Sequence, residues 1–373
     1  MGIIQSMKHK AHAYEFNDLI PLLEKEVKAG YINKIVDEDS DLVIYNYSRN
    51  CMTERYWPEA CLMARGLVVN PTRIVATPFM KFKNFGEDGV KLPEEEYEVF
   101  EKLDGSFAVI FHYNGEWRVN TRGSFNSDQA IWAKAHFDKN VDTKNLKEGN
   151  TYLGEIIYIS NRIVVQYFGS EFLGLLGGFD SKGIEIPLNE VCEHFGNVSE
   201  DGTIRRAKTF KGKTVKDLLY LAENVLTANE EGFVVRFANG YRIKIKGDKY
   251  VALHKILSHF SEKGVMEFVR DFPSEDIFAN ENFNELPEEF FEDLALWNNK
   301  YRILFESYLA DGLKFVKENK TISNKEVGLK KGAGEIKDNV AEVFFSIKKG
   351  KFKDYYKSSL TRQRVFNKLY KTK

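Results

Sequence analysis

Little in this 373-residue chain points to a disulfide frame, a thiolate metal site or a membrane anchor. It holds three cysteines, Cys51, Cys61 and Cys192, an odd number without Cys-x-x-Cys spacing. That argues against cross-linking and against metal clamping, and fits buried thiols in a reducing compartment. No apolar run approaches bilayer-spanning length, and no signal peptide is visible. Met1-Gly2-Ile3-Ile4-Gln5-Ser6 fits an N-myristoylation pattern, but so short a match arises by chance, and no lipid anchor is expected. No membrane partner is expected, and the setting is read as cytoplasmic (the host's cytoplasm if the source is viral). Prolines number only 8, and neither a low-complexity tract nor an internal repeat is present. Neither sign of charge dominates: the net charge is −1, so a polyanion would have to find a local basic surface.

What is abundant is hydrophobic and aromatic: 43% hydrophobic residues, with 29 Phe and 18 Tyr, in a chain long enough for two domains. From about residue 40 to 248 the pattern is strand-like. Tyr97–Leu103, Phe107–Tyr113 and Glu116–Thr121 are rich in aromatic and β-branched residues, and Asn114-Gly115 is a hairpin turn. Tyr152–Ile159, Ile163–Phe168, Phe172–Leu176, Gly232–Phe237 and Tyr241–Lys246 continue the series. Helical stretches interrupt it near Ser127–Phe137 and Val215–Val225, and residues 1–40 read as a short helix and loop. Beyond about 248 the period becomes helical: Val251, Leu253, Ile256, Leu257 and Phe260, then a long pattern from Pro287 through Trp297 and Tyr301. The expected fold is α+β, an antiparallel-sheet domain with flanking helices over 1–248 and an all-helical domain over 249–373. Residues 348–373 are dense in Lys and Arg with interleaved aromatics, which suits either a solvated face or a strand of nucleic acid.

Chemistry concentrates in five short clusters. Lys102-Leu103-Asp104-Gly105 follows the apolar run Val99-Phe100; on a strand, Lys102 and Asp104 would share one face, and Gly105 would allow a tight turn beside a ligand. Arg122-Gly123 ends the hairpin strand, where an arginine can reach sugar or phosphate oxygens, although arginine beside a turn is ordinary. Glu155 interrupts an apolar strand, a costly place for a carboxylate unless it is paired, bound or facing water. Glu230-Glu231 stands at a strand mouth and could hold a hydrated divalent cation. Arg242, Lys244 and Lys246 alternate with Ile243 and Ile245, which puts three cations on one face, as in an anion site or a plain amphipathic edge strand.

In this order, the five clusters resemble the covalent nucleotidyltransferase superfamily of ligases and capping enzymes. The chain is similar over nearly its whole length to the bacteriophage RNA ligase 1 family within it. Tyr45-Asn46-Tyr47, Ala64-Arg65-Gly66, Met80-Lys81-Phe82-Lys83-Asn84, Ser160-Asn161-Arg162-Ile163-Val164 and Lys331-Gly332-Ala333-Gly334 carry that resemblance. The best-known member differs at Leu103, where it has an acid, at Arg122, where it has a lysine, and at Lys249, where it has a tryptophan.

The resemblance implies an ATP-dependent RNA ligase. Its 1–248 region would be the adenylyltransferase domain and 249–373 a helical domain for RNA-substrate specificity. Lys102, Asp104 and Lys246 would be catalytic. Tyr45, Arg65, Lys81, Lys102, Arg122, Glu155, Glu231, Lys244 and Lys246 would bind ATP. Tyr250 would serve a later step. Mg²⁺, with Mn²⁺ able to substitute, would be held through water by Glu231, and Glu275 with Asp276 fall at a second metal position. The implied partner is single-stranded RNA or a broken tRNA loop with 5′-phosphate and 3′-hydroxyl ends, with single-stranded DNA a further candidate. ATP is preferred over NAD⁺ because residues 1–40 lack a nicotinamide-binding module. A DNA ligase or mRNA-capping guanylyltransferase, or a non-catalytic RNA-binding protein on the same scaffold, are the competing readings.

Overall fold

A computed structural model describes residues 7–87, 90–161, 163–257, 262–271, 277 and 288–350. The chain divides into two compact units, 1–257 and 258–373.

The first unit is built on three sheets. Strands β1 (Ile32–Val36), β2 (Val43–Tyr47), β3 (Arg65–Val69) and β4 (Ile74–Ala76) form an antiparallel sheet in that order. Helix α1 (Phe16–Lys28) lies against β1, and short helices α2 (Arg49–Thr53) and α3 (Glu59–Met63) fill the connection from β2 to β3. A second sheet starts with the hairpin of β7 (Ser106–Tyr113) and β8 (Glu116–Thr121), whose turn residues Asn114 and Gly115 both take positive φ, as a type I′ turn requires. It continues through β9 (Thr151–Ile157) and β10 (Phe172–Phe179), with β11 (Glu185–Ile186) and β12 (Ile204–Arg206) both pairing β10. The third sheet runs β13 (Thr209–Phe210), β6 (Tyr97–Glu101), β14 (Gly232–Phe237), β15 (Arg242–Lys246) and β5 (Lys83–Asn84).

Alternation along β7 splits its side chains between two cores. Ala108 and Ile110 join Tyr152, Ile156 and Phe172 under α4 (Asp128–Asn140) and α5 (Leu188–Phe195). Phe107, Val109 and Phe111 face Ile44, Val68 and Phe79 of the first sheet side. The third sheet buries Val99, Phe233, Val235, Ile243 and Ile245 against α6 (Val215–Tyr220) and the π-type turn after it. Helix α7 (Asp248–Leu257) belongs with this unit.

The regular structure among the second unit's described residues is helical: α8 (Glu262–Asp271), α9 (Glu288–Glu318), α10 (Asn324–Gly332) and α11 (Asp338–Lys348). Met266, Val269, Tyr301, Phe305 and Val343 form one of its cores. Helix α10 starts on a capping box between Ser323 and Glu326, and Lys331-Gly332 closes it.

The α+β architecture is as expected, with three local corrections. Residues 1–40 hold α1 and also strand β1. Segment 163–168 is no strand, because two of its backbone N–H groups are taken by a side chain instead of a neighbouring strand. Strand β15 is not an edge, since β14 and β5 flank it. Residues 351–373 of the basic tail lie outside the described residues.

Candidate active site

The sheet pairing brings the end of β6 beside the start of β14, because Glu101 is opposite Phe233. Strand β6 stops there, and Lys102–Gly105 form the link to β7. Lys102 N–H donates to the Gly232 carbonyl (2.9 Å), and its ammonium donates to Glu231 Oε2 (2.7 Å). The other oxygen of Glu231 meets Lys246 Nζ at 3.2 Å. Glu231 is only 4% exposed, so its charge depends on these two cations rather than on water. Gly232 makes the arrangement possible: at φ +142°, an added Cβ would lie 2.0 Å from the Ile245 carbonyl. Gly105 is equally confined, since a Cβ there would lie 2.4 Å from the Ile156 carbonyl.

Because the link is not a strand, Lys102 and Asp104 take separate partners. The buried Asp104 carboxylate accepts Val164 N–H (2.9 Å) and Val165 N–H (2.7 Å) on one oxygen, and the Tyr250 hydroxyl (2.8 Å) on the other. Its own N–H donates to the Tyr167 hydroxyl (2.8 Å). Burial, with the nearby Glu231 charge, raises the Asp104 carboxyl above its ordinary range against these donors. Tyr250 in turn faces Lys246, whose Nζ is 5.5 Å from the ring centroid.

Glu155 projects from β9 and accepts Gly105 N–H at 3.1 Å. Burial pushes its pKa up to about 7, with Lys102 and Arg65 pulling downward and Glu231 and Asp104 pushing upward. These five groups therefore share one local field. The Arg65 guanidinium, from β3, stacks 4.4 Å from the Phe107 ring, and its Nη1 is buried without a hydrogen-bond partner. An orphaned cationic donor beside a carboxylate and a lysine suits an anionic ligand.

Next to Arg65 in the chain, Gly66 and Arg122 touch closely enough that a Cβ on Gly66 would lie 2.8 Å from Arg122 Cα. Arg122 donates to the Tyr47 hydroxyl, Trp57 packs edge-on against the Tyr47 ring, and Lys81 Nζ lies 4.9 Å over Trp57. Lys244 is buried on β15 opposite Val234.

One expected member, Tyr45, takes an internal partner. Tyr45 is fully buried, and its hydroxyl donates to Glu24 of α1 (2.6 Å); burial first, and then that carboxylate, raise its pKa. Arg242 shares a face with Lys244 and Lys246 but is matched internally by Glu185. Glu275 and Asp276 lie outside the described residues, as does Arg162. Among the described residues, no group of three or more His, Cys, Asp or Glu side chains could hold a metal ion. Sequence reasoning missed Tyr167, Trp57 and Phe107. Tyr167 was hidden inside a presumed strand, and the two ring contacts follow only from tertiary packing.

Residues 63–250 match a family model described as RNA ligase, of the T4 RNA ligase 1 type. The chain belongs to the RNA ligase family. Among curated proteins, a chain of Autographa californica nuclear polyhedrosis virus named for bifunctional polynucleotide kinase and RNA ligase activity is 28% identical over 247 residues, covering 58% of this chain. The match spans about a third of that relative, 34% of its length. Among solved structures, an archaeal ATP-dependent RNA ligase aligns at 13% identity and TM-score 0.44, covering 79% of this chain and 82% of that one. A Naegleria gruberi RNA ligase variant solved with ATP and Mn aligns at 18% identity and TM-score 0.34, covering 43% and 52%. No described helix is long and apolar enough to cross a membrane.

Proposed function

We propose that this RNA ligase family member joins RNA ends at the expense of ATP, with Lys102 as the covalent carrier. The observation that carries this reading is the Glu231 carboxylate held between Lys102 and Lys246, next to Glu155 and the orphaned Arg65 donor. In the first step the Lys102 ammonium leaves Glu231 and gives its proton to solvent, and the neutral amine attacks the α-phosphorus of ATP. An N–P bond forms and the bond to pyrophosphate breaks. In the second, an oxygen of an RNA 5′-phosphate takes the AMP group and the N–P bond breaks. In the third, a 3′-hydroxyl attacks that phosphate, a phosphodiester forms and AMP leaves.

Lys244 and Lys246 stabilise the charge developing on the α-phosphate. Arg65 and Lys81 orient the leaving pyrophosphate, while Arg122 and Glu155 address the ribose or a neighbouring phosphate. Asp104 acts by fixing the turn that carries Lys102, and Tyr250 by fixing Asp104 for a later step. Both oxygens of Glu231 already carry cations, so the donor set fits Mg²⁺ or Mn²⁺ held mainly by nucleotide phosphates and water, with Glu231 in reach through water. When bound, such an ion neutralises phosphate charge. The first unit is the adenylyltransferase domain; the helical unit selects the RNA, and a broken tRNA loop with 5′-phosphate and 3′-hydroxyl ends is the preferred substrate. The expected location is the cytoplasm, the host's if the source is viral.

Incubation with α-labelled ATP and Mg²⁺ is expected to label Lys102, and Lys102→Ala to abolish the label. Persistent labelling of that variant, or labelling by GTP in preference to ATP, would overturn the reading. A panel of 5′-phosphorylated substrates (nicked tRNA stem-loop, linear RNA, single-stranded DNA) scored for joined and circular products identifies the strand.

A further inference from the structure

Between β9 and β10, the described residues 164–167 are tied down by buried contacts and hydrogen bonds. Val164 and Val165 are buried against Tyr250 and hang from the Asp104 carboxylate. Gln166 N–H donates to the Asn229 side-chain oxygen, and Asn229 Nδ2 returns a bond to the Gln166 carbonyl (3.1 Å). The Tyr167 hydroxyl accepts Asp104 N–H (2.8 Å), and the Tyr167 ring packs edge-on against Phe172. Then Phe168 stands out into solvent, 87% exposed. Ile159 and Ile163 of the same loop are also exposed.

The backbone at Phe168 is unusual for its side chain. Ser170 N–H donates to the Tyr167 carbonyl (3.0 Å), with Phe168 at φ +50° and Gly169 at φ +79° between them. Those are the φ signs of a type I′ turn, whose first central residue is ordinarily Asn, Asp or Gly. The β7–β8 hairpin makes the comparison directly: Asn114-Gly115 takes the same signs, +51° and +87°, with the favoured residue in place. At Phe168 an aromatic side chain occupies a left-handed position that disfavours it, gains no burial there, and is displayed by a loop anchored to Asp104 and Asn229, each two residues from Lys102 or Glu231.

We infer that Phe168 is a stacking platform for a base of the single-stranded RNA whose end enters the Lys102 site. The choice of RNA rests on the ligase reading; the platform itself rests on exposure, rigidity and position. A pre-held aromatic face at the rim of a cationic site is what sequence-tolerant capture of a flexible strand needs. A plain surface turn would keep the geometry with Asn or Gly in this place.

The test replaces Phe168 in the full chain. Phe168→Trp is titrated with a 5′-phosphorylated single-stranded oligoribonucleotide, and its fluorescence is compared with the parent chain, which carries four tryptophans of its own. Quenching in excess of the parent's is expected. Phe168→Ala is expected to weaken RNA binding about tenfold, with Phe168→Trp retaining it. Phe168→Asn suits the turn better, so its thermal midpoint should equal or exceed the parent's while RNA binding falls as in Phe168→Ala; this separates lost stacking from misfolding. An equal quench with single-stranded DNA identifies stacking that is indifferent to the sugar. Unchanged RNA affinity in Phe168→Ala and Phe168→Asn, with no extra quench in Phe168→Trp, overturns the platform, including the case in which a protein partner covers this loop. Lys102 labelling reads the ligase proposal separately: a chain that never labels yet shows the quench keeps the platform and loses only the ligase reading.

Discussion

Two buried carboxylates in this protein each sit between two cations, and both draw on strand β15. Glu185 accepts Arg236 Nε (2.9 Å) and Nη2 (3.1 Å) and also the Arg242 guanidinium from the start of β15. Arg242 is stacked 4.2 Å from the Phe79 ring. Against the burial that would raise it, the two guanidinium groups hold the Glu185 carboxyl below its ordinary range. Glu231 is paired instead with Lys102 and with Lys246 at the end of the same strand, and the Lys102 side chain keeps 21% exposure. Guanidinium forks fix two planar contacts at once, whereas an ammonium on a four-carbon stem is a point charge that can swing away. One cluster rivets two sheets; the other, on the proposed function, would exchange its partner for an incoming phosphate.

Deleting each central carboxylate should break that comparison most visibly. Glu185→Ala leaves the buried Arg242 guanidinium without its carboxylate and Arg236 with Glu98 alone, at 3.6 Å, and is expected to lose about 3–5 kcal/mol of stability in urea unfolding. Glu231→Ala should lose less than about 2 kcal/mol, because lysine stems can carry their charge to water. Equal losses would show that both clusters are structural. Next in size, Lys246→Ala is expected to slow formation of lysyl-AMP about 10²–10³-fold with the fold retained. Arg242→Ala should instead act on stability, and a rate loss in Arg242→Ala at unchanged stability would place it in the reactive cluster.

The smallest effect concerns pH. Glu155 has a folded-state pKa of about 7 against an ordinary 4.5, so the folded protein holds its proton more tightly than the unfolded chain does. The stability this lends is complete below about pH 4.5 and disappears as pH rises through about 7. Glu155→Gln should flatten the stability profile across that window and gain about 2 kcal/mol over the parent at pH 8, allowing for partial exposure to water. A profile as steep as the parent's would mean that another group titrates there.

Much of this was legible from local pattern. The Asn114-Gly115 hairpin and the change to helical period past 248 rest on spacing within a few residues, and the order Lys102, Glu155, Glu231, Lys246 on short clusters read together through the family resemblance. What was hidden depends on distant partners. The alternation of Arg242, Lys244 and Lys246 gives all three one face, but nothing nearby says that Glu185, 57 residues away, matches Arg242. Ile163–Phe168 has strand composition, yet the acceptor for its N–H groups is Asp104, 60 residues earlier, so it folds as a loop. Tyr45 belongs to a motif-like tripeptide, and only the tertiary structure reveals its bond to Glu24 of α1.

The Asp104 carboxylate joins points 60, 61 and 146 positions further along the chain. A shortened version ending between Lys246 and Tyr250 would keep all five chemical signatures in its primary structure and still lose one of the three ties on that side chain. Trimming for crystallography or for a minimal catalyst should therefore preserve everything through Leu257, and a fragment cut at the last lysine of β15 is the wrong place to start.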